Sequence, residues 1–172
     1  GQADLIEEIA RIYGYENITE TQITDTTPPQ RTNEALEVEE RTKDILISLG
    51  LQEIVSYRLT TPEREALLRA KDDRAYVTLQ NPIASDRVVM RHTVLASVFD
   101  SVANNLRFTD RVAIFEVGKI FLPKEKSALP DEPRRIAIAL TGPRDAEGWQ
   151  KADHGAMDFY DLKGVVMALV DG

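Results

Sequence analysis

The sequence predicts an α+β domain in which a mainly antiparallel sheet is flanked by helices. Three observations carry that expectation. Two segments, Arg111–Phe121 and Arg135–Thr141, are apolar on both faces, as strands in the middle of a sheet are. Polar, proline-bounded stretches rather than helices join the strands. The clearest helical periods lie before and after them, so the strict β-α-β alternation of a parallel sheet is absent.

Taken in order, Asp4–Tyr13 places Leu5, Ile9 and Ile12 on one helical face and stops at Gly14, a favoured residue just beyond a helix C-terminus. Thr19–Arg31 holds five threonines and the pair Pro28-Pro29, which excludes helix and reads as a linker. Three parts follow: residues 1–20 as a closing helix, 21–32 as linker, and 33–172 as the main domain. Glu34–Leu49 is the next helix, with acids in its first turn and Gly50 as its stop. Leu51–Leu59 alternates Val55, Tyr57 and Leu59 against Ser56 and Arg58, the pattern of a half-buried strand. Thr61-Pro62 opens a short helix through Ala70, with threonine as cap and proline in the first helical position. Tyr76–Leu79 is a short strand ahead of the Asn81-Pro82 turn. Thr93–Phe108 is helical, with Val94, Leu95, Val98, Phe99, Val102, Ala103 and Leu106 on one side. Lys124–Pro133 and Gly142–Met157 are loops, and Asp158 caps a last helix running to about Val170.

Composition narrows the chemistry. The chain has 172 residues, 42% hydrophobic, with a formal charge of −8 and no cysteine. Disulfides, thiolate metal sites and cysteine nucleophiles are therefore excluded. Two histidines, His92 and His154, are too few for a histidine-rich metal site. Phosphate neutralisation needs clustered Lys and Arg, so the acidic balance speaks against tight nucleic-acid binding by this segment alone. No apolar run reaches the roughly 20 residues of a membrane span. The start, Gly1-Gln2-Ala3-Asp4, lacks an initiator Met and a signal peptide's basic and apolar regions, and reads as an internal cut of a longer chain.

Three groups of residues could carry chemistry. Asp4, Glu7 and Glu8, at i, i+3 and i+4, share one helical face and offer hard oxygen ligands suited to Mg²⁺; acids in a first helical turn also favour the macrodipole without any ion. Arg87, Arg91 and His92 lie just ahead of a helix N-terminus, where an anion could bind, and an interior ion pair accounts for an arginine there equally well. Asp158 and Asp161, with His154 nearby, could do acid–base work, while cap and first-turn acid is the simpler role. No Gly-x-Ser-x-Gly elbow, phosphate loop or dinucleotide turn is present.

Five segments, in order, resemble one family, the β subunit of bacterial phenylalanyl-tRNA synthetase: Asp4–Ile18, Leu51–Tyr57, Asn81 through Arg91, Ile114–Phe121 and Asp158–Gly164. The resemblance implies a cytoplasmic α₂β₂ heterotetramer that uses ATP to attach phenylalanine to tRNA(Phe), with the active site on α. Residues 1–20 would close a small preceding domain. Residues 33–172 would form most of a catalytic-like domain with the class II aminoacyl-tRNA synthetase fold, truncated at its C-terminus and packed on α through a helical interface. It also implies a Mg²⁺ site shared with α, whose β-side acids match Asp4, Glu7 and Glu8; a further aspartate would lie upstream of Gly1. Departures point to lost catalysis. Where class II enzymes begin an Arg-x-Glu triplet, this chain has Ile114-Phe115-Glu116. The chain ends before any third class II motif, and His92-Thr93-Val94-Leu95-Ala96-Ser97 replaces the family's usual Thr-Ser-Leu-Leu-Pro-Gly. The rival expectation is an autonomous nucleotide or small-molecule binding domain that reuses the class II cleft through Arg87, Arg91 and Glu116.

Overall fold

The computed structural model describes residues 1–22, 24–27, 29, 31–68, 74–124, 129–146, 148–149 and 151–172. The chain forms two compact units, Gly1–Thr32 and Asn33–Gly172.

In the first unit, α1 spans Gln2–Tyr13. It ends where Gly14 adopts φ 92°, a left-handed conformation that a side chain resists, with the Gly14 N–H bonded to the Ala10 carbonyl at 3.0 Å. A single 3-10 turn, Tyr15–Asn17, follows, and Asn17 Nδ2 donates to the Tyr13 carbonyl at 2.7 Å. Leu5, Ile9 and Ile12 share a face as their spacing predicts, and all three are exposed.

In the second unit, α2 (Glu34–Ser48) is capped by the Asn33 side chain, which accepts the Leu36 N–H. Gly50, at φ 83°, turns the chain into β1 (Gln52–Glu53). Then come β2 (Leu59–Thr60), α3 (Pro62–Ala66), β3 (Val89–Met90), α4 (Leu95–Asn105), β4 (Val112–Lys119), β5 (Arg134–Thr141) and α5 (Phe159–Asp171). The main sheet has the order β1-β4-β5. β4 and β5 pair antiparallel along eight residues, from Val112↔Thr141 to Lys119↔Arg134, while β1 runs parallel to β4. β2 and β3 form a small antiparallel sheet of their own.

The period of two along β4 builds two cores. Val112 and Ile114 face α4, packing with Val94, Val98, Ile120 and Ala137. Ala113 and Phe115 face the opposite way, onto Leu46 and Leu51, with Val165 and Leu169 of α5 packed against them. Helices thus cover both faces of the sheet: α4 on one, α2 and α5 on the other. This is why β4 is apolar in both registers. A charge brace ties α2 to the strands: Lys43 Nζ lies 3.3 Å from Glu39 and 3.2 Å from Glu53, and Glu39 also pairs with Arg134 of β5. The Arg134 hydrogen bond holds the Glu39 carboxyl below its ordinary value.

Three expected elements are corrected. Leu51–Leu59 is not a single half-buried strand. Its ends belong to different sheets, and between them Val55 and Tyr57 are exposed while Ser56 points inward. Over Val55–Tyr57 the expected alternation is inverted, because Ser56 has a buried carboxylate to satisfy, whereas Arg58 is exposed and Leu59 half-buried as expected. Tyr76–Leu79 contributes one bridge, Thr78↔Val89, rather than a ladder. The helix expected through Ala70 ends at Ala66; Arg69 and Ala70 lie outside the described residues. Parts of the two expected loops (125–128, 147 and 150) and of the linker (23, 28 and 30) lie outside them as well.

Candidate functional site

The strand that resembles the second class II motif is β4, and its acid, Glu116, projects from the same face as Val112 and Ile114 toward the interior. Glu116 and Arg91 are each 2% exposed. Arg91 Nη1 donates to Glu116 Oε1 at 2.7 Å and to Ser56 Oγ at 2.9 Å, and Ser56 Oγ donates to Glu116 Oε2 at 2.5 Å. Arg91 Nε reaches the Lys119 carbonyl at 2.9 Å. The backbone of Arg91 is held on both sides: its N–H donates to the Arg58 carbonyl at 3.0 Å, and its carbonyl accepts the Phe121 N–H at 2.9 Å. Charges removed from water need this density of partners, since desolvation otherwise exceeds the Coulomb gain. Gly118 makes room for the arginine, because a Cβ there would run into the Arg91 guanidinium. Ile114, where an Arg-x-Glu arginine would sit, is part of the apolar core.

The three basic residues ahead of α4 do not converge. Arg91 turns inward to Glu116. Arg87 lies 3.6 Å above the exposed ring of Tyr57, a cation–π contact. His92 is buried and stacks on Tyr76, with ring centres 4.0 Å apart and planes 11° apart. An interior ion pair, the structural alternative for this segment, is what Arg91 makes.

Asp158 and Asp161 open α5 as a reciprocal cap. Asp158 Oδ1 accepts the Tyr160 N–H at 2.7 Å, and Asp161 Oδ2 accepts the Asp158 N–H at 2.6 Å. Arg144 then gathers acids from loop and helix, with Nε 3.0 Å from Asp161, Nη2 3.2 Å from Asp158 and Nη1 3.7 Å from Asp153. The Arg144 hydrogen bond, then the Asp158 N–H, hold the Asp161 carboxyl below the usual carboxylate range, and Asp161 in turn raises Arg144. This arrangement fixes the loop to the helix. His154 is exposed and the pair is a cap.

Asp4, Glu7 and Glu8 lie along α1, all exposed. Asp4 pairs with the amino terminus of Gly1, and Glu8 with Arg11 Nη2 at 2.6 Å. Their oxygen chemistry suits Mg²⁺. Among the described residues, though, no three acids or histidines are gathered closely enough to hold a metal ion. By themselves these side chains do not fit a closed ion site.

Sequence reasoning did not single out Ser56, Glu65, Gly118 or Arg144. Ser56 and Gly118 carried a faint signal, a polar residue out of phase with its strand and a glycine two positions from a buried acid. Glu65 and Arg144 carried none, because their partners lie beyond the reach of any local pattern, 11 to 28 residues from Glu65 and 9 to 17 from Arg144.

Residues 18–172 match the family model described as the phenylalanyl tRNA synthetase beta chain CLM domain. The chain belongs to this family. Among its relatives are phenylalanine–tRNA ligase β subunits of Syntrophus aciditrophicus, 37% identical over 172 residues, and of Bacillus subtilis, 36% identical over 173. These matches take in 98% and 99% of the chain but only 21% of each relative. The β subunit of Geobacter metallireducens is 34% identical over 174 residues, 22% of its length. The chain therefore spans about a fifth of the β subunits it matches. In fold, it is similar to two solved pyrrolysyl-tRNA synthetase structures from Desulfitobacterium hafniense. One has a TM-score of 0.56 at 14% identity, covering 80% of this chain and 44% of that one. The other has 0.50 at 19%, covering 62% and 39%. The class II synthetase-like fold expected of a β-chain domain is thus the one observed.

Proposed function

We propose that this domain is a non-catalytic platform within a phenylalanine–tRNA ligase. It packs on a catalytic α subunit in a cytoplasmic α₂β₂ assembly and supports ATP-dependent charging of tRNA(Phe) without carrying out a chemical step. The observation that carries the reading is the Arg91–Glu116–Ser56 cluster. The acid that a class II site would turn toward substrate is enclosed in the protein, with both carboxylate oxygens bonded to Arg91 and Ser56. The neighbouring motif position is a core isoleucine. Within this cluster neither the arginine nor the carboxylate is open to a nucleotide, and the rival binding reading loses two of its three contacts, Arg91 and Glu116.

Apolar side chains left in solvent on two helices suit the platform role: Leu95, Phe99 and Leu106 on or at the end of α4, and Phe159, Tyr160, Met167 and Val170 on α5. In this reading residues 1–20 close a preceding domain, and Asp4, Glu7 and Glu8 supply one side of a Mg²⁺ site completed by groups of the assembled enzyme. Bound there, the ion would offset the acids' mutual repulsion.

The test is co-purification of the 172-residue chain with the α subunit of the same source, with phenylalanine-dependent pyrophosphate exchange measured on each alone and together. The chain alone is expected to show no exchange and to bind α. Exchange by the isolated chain, or saturable heat on titrating it with ATP or phenylalanine, overturns the reading. Calorimetric titration with Mg²⁺, before and after Glu7→Gln and Glu8→Gln, tests the ion site: binding is expected in the assembly of α with the full-length β subunit and none in the isolated chain.

A further inference from the structure

The first turn of α4 lacks a cap of its own. Val94 occupies the cap position and makes no side-chain bond, although the first N–H groups of a helix need partners from outside it. Those of the lead-in come from elsewhere. Thr93 Oγ1 accepts the Leu95 N–H at 3.2 Å. The carboxylate of Glu65, on α3, accepts the His92 N–H at 2.9 Å and the Thr93 N–H at 3.2 Å. Glu65 is 1% exposed, and its second oxygen takes the Tyr76 hydroxyl at 2.9 Å. Tyr76 stacks on the His92 ring.

α3 has only five residues, too few to persist as an isolated helix. It is held at two points: Glu65 bonds to the lead-in ahead of α4, and Arg64 Nη2 lies 2.6 Å from Asp100 Oδ2 of α4 as a charge contact without hydrogen-bond alignment. We propose that Glu65 is a latch. Docked, α3 fixes the His92–Thr93 lead-in and sets the first turn of α4. Undocked, it releases that turn, and Leu95 and Phe99, the half-exposed apolar pair one turn apart on α4, lose their fixed spacing. The partner's side of this device rests on the docking role proposed above; the latch itself is a property of the isolated chain.

Amide hydrogen exchange on the 172-residue chain tests it. Glu65→Ala is expected to speed exchange at Ala96–Phe99 at least tenfold while the β4 and β5 amides keep their wild-type rates. Glu65→Gln, which keeps one carbonyl acceptor, should fall between. Sodium acetate should slow exchange at those amides saturably in Glu65→Ala, against a matched chloride series, and leave the wild type unchanged. If Glu65→Ala does not fold, Glu65→Gln and Asp100→Asn decide the matter by the same readout. Wild-type rates at Ala96–Phe99 in the variants that fold, or acceleration spread evenly over β4 and β5, overturns the latch. Binding of the α subunit is measured separately, on Glu65→Gln. A tenfold loss of affinity supports the presentation of α4, and unchanged affinity with a working latch removes α4 from the docking surface while leaving the latch in place.

Discussion

Two arginines organise this domain, and they are opposites. Arg91 sits in the interior, its side chain 2% exposed, and faces one carboxylate, one hydroxyl and one carbonyl in fixed geometry. Arg144 is 36% exposed and shares itself among three aspartates of a loop and a helix start. By counting ion pairs Arg144 is the richer centre. By physical consequence it is the weaker, because water and salt screen its partners, whereas among the described residues Arg91 alone pairs with the buried Glu116. The number of partners does not measure the importance of a charge; the absence of an alternative partner does.

The sharpest way to break that contrast is to remove one member of the buried pair. Arg91→Met leaves Glu116 enclosed and uncompensated, and is expected to lower unfolding free energy by about 3–5 kcal/mol, read by urea denaturation. The double variant Arg91→Met with Glu116→Leu should recover much of that loss, since an apolar pair carries no buried charge. Next is Gly118→Ala, whose methyl meets the guanidinium. Overpacking of this kind costs about 1–3 kcal/mol, and the cost should shrink when Arg91 is already methionine, a coupling that a double-mutant cycle detects. Asp158→Ala removes the α5 cap, for about 1 kcal/mol. The smallest effect belongs to the exposed arginine, where Arg144→Gln should move the melting temperature less than any change above.

Acidity sharpens the same contrast. Because Asp161 is held below its ordinary value of 3.8 in the folded chain, its pairing with Arg144 stabilises at pH above that value. The contribution is lost as pH falls through the lower folded value. The difference in melting temperature between wild type and Asp161→Asn should therefore be present at pH 6, shrink below about pH 4, and diminish further in high salt.

Much of the fold was legible in sequence, for a local reason. β4 and β5 declare themselves by being apolar on both faces, α2 by its first-turn acids and glycine stop, and α5 by its aspartate cap. Leu51–Leu59 misled because alternation reports that one side of a strand differs from the other, not which side is inside; that is settled by Glu116, about 60 residues later. The candidate site was legible only in outline. The isoleucine at 114, where an Arg-x-Glu triplet would begin, was visible in the sequence, but the partnership of Arg91 with Ser56 and Glu116 joins three separate segments. Nothing in the spacing of any one of them records it.

That same wide spacing sets a timetable for synthesis. β1 finds its partner at Ile114 and Phe115, and Ser56 meets Glu116 across a separation of 60 residues. At about 5–20 residues per second, a ribosome leaves β1 and the segment after it without their strand for roughly 3–12 s. Throughout that interval Val55 and Tyr57, which stay in solvent even in the finished fold, stand beside an unpaired edge open to other chains. The exposure that survives folding is thus the remainder of a larger one, closed when β4 leaves the ribosome and Arg91 can secure the segment in place.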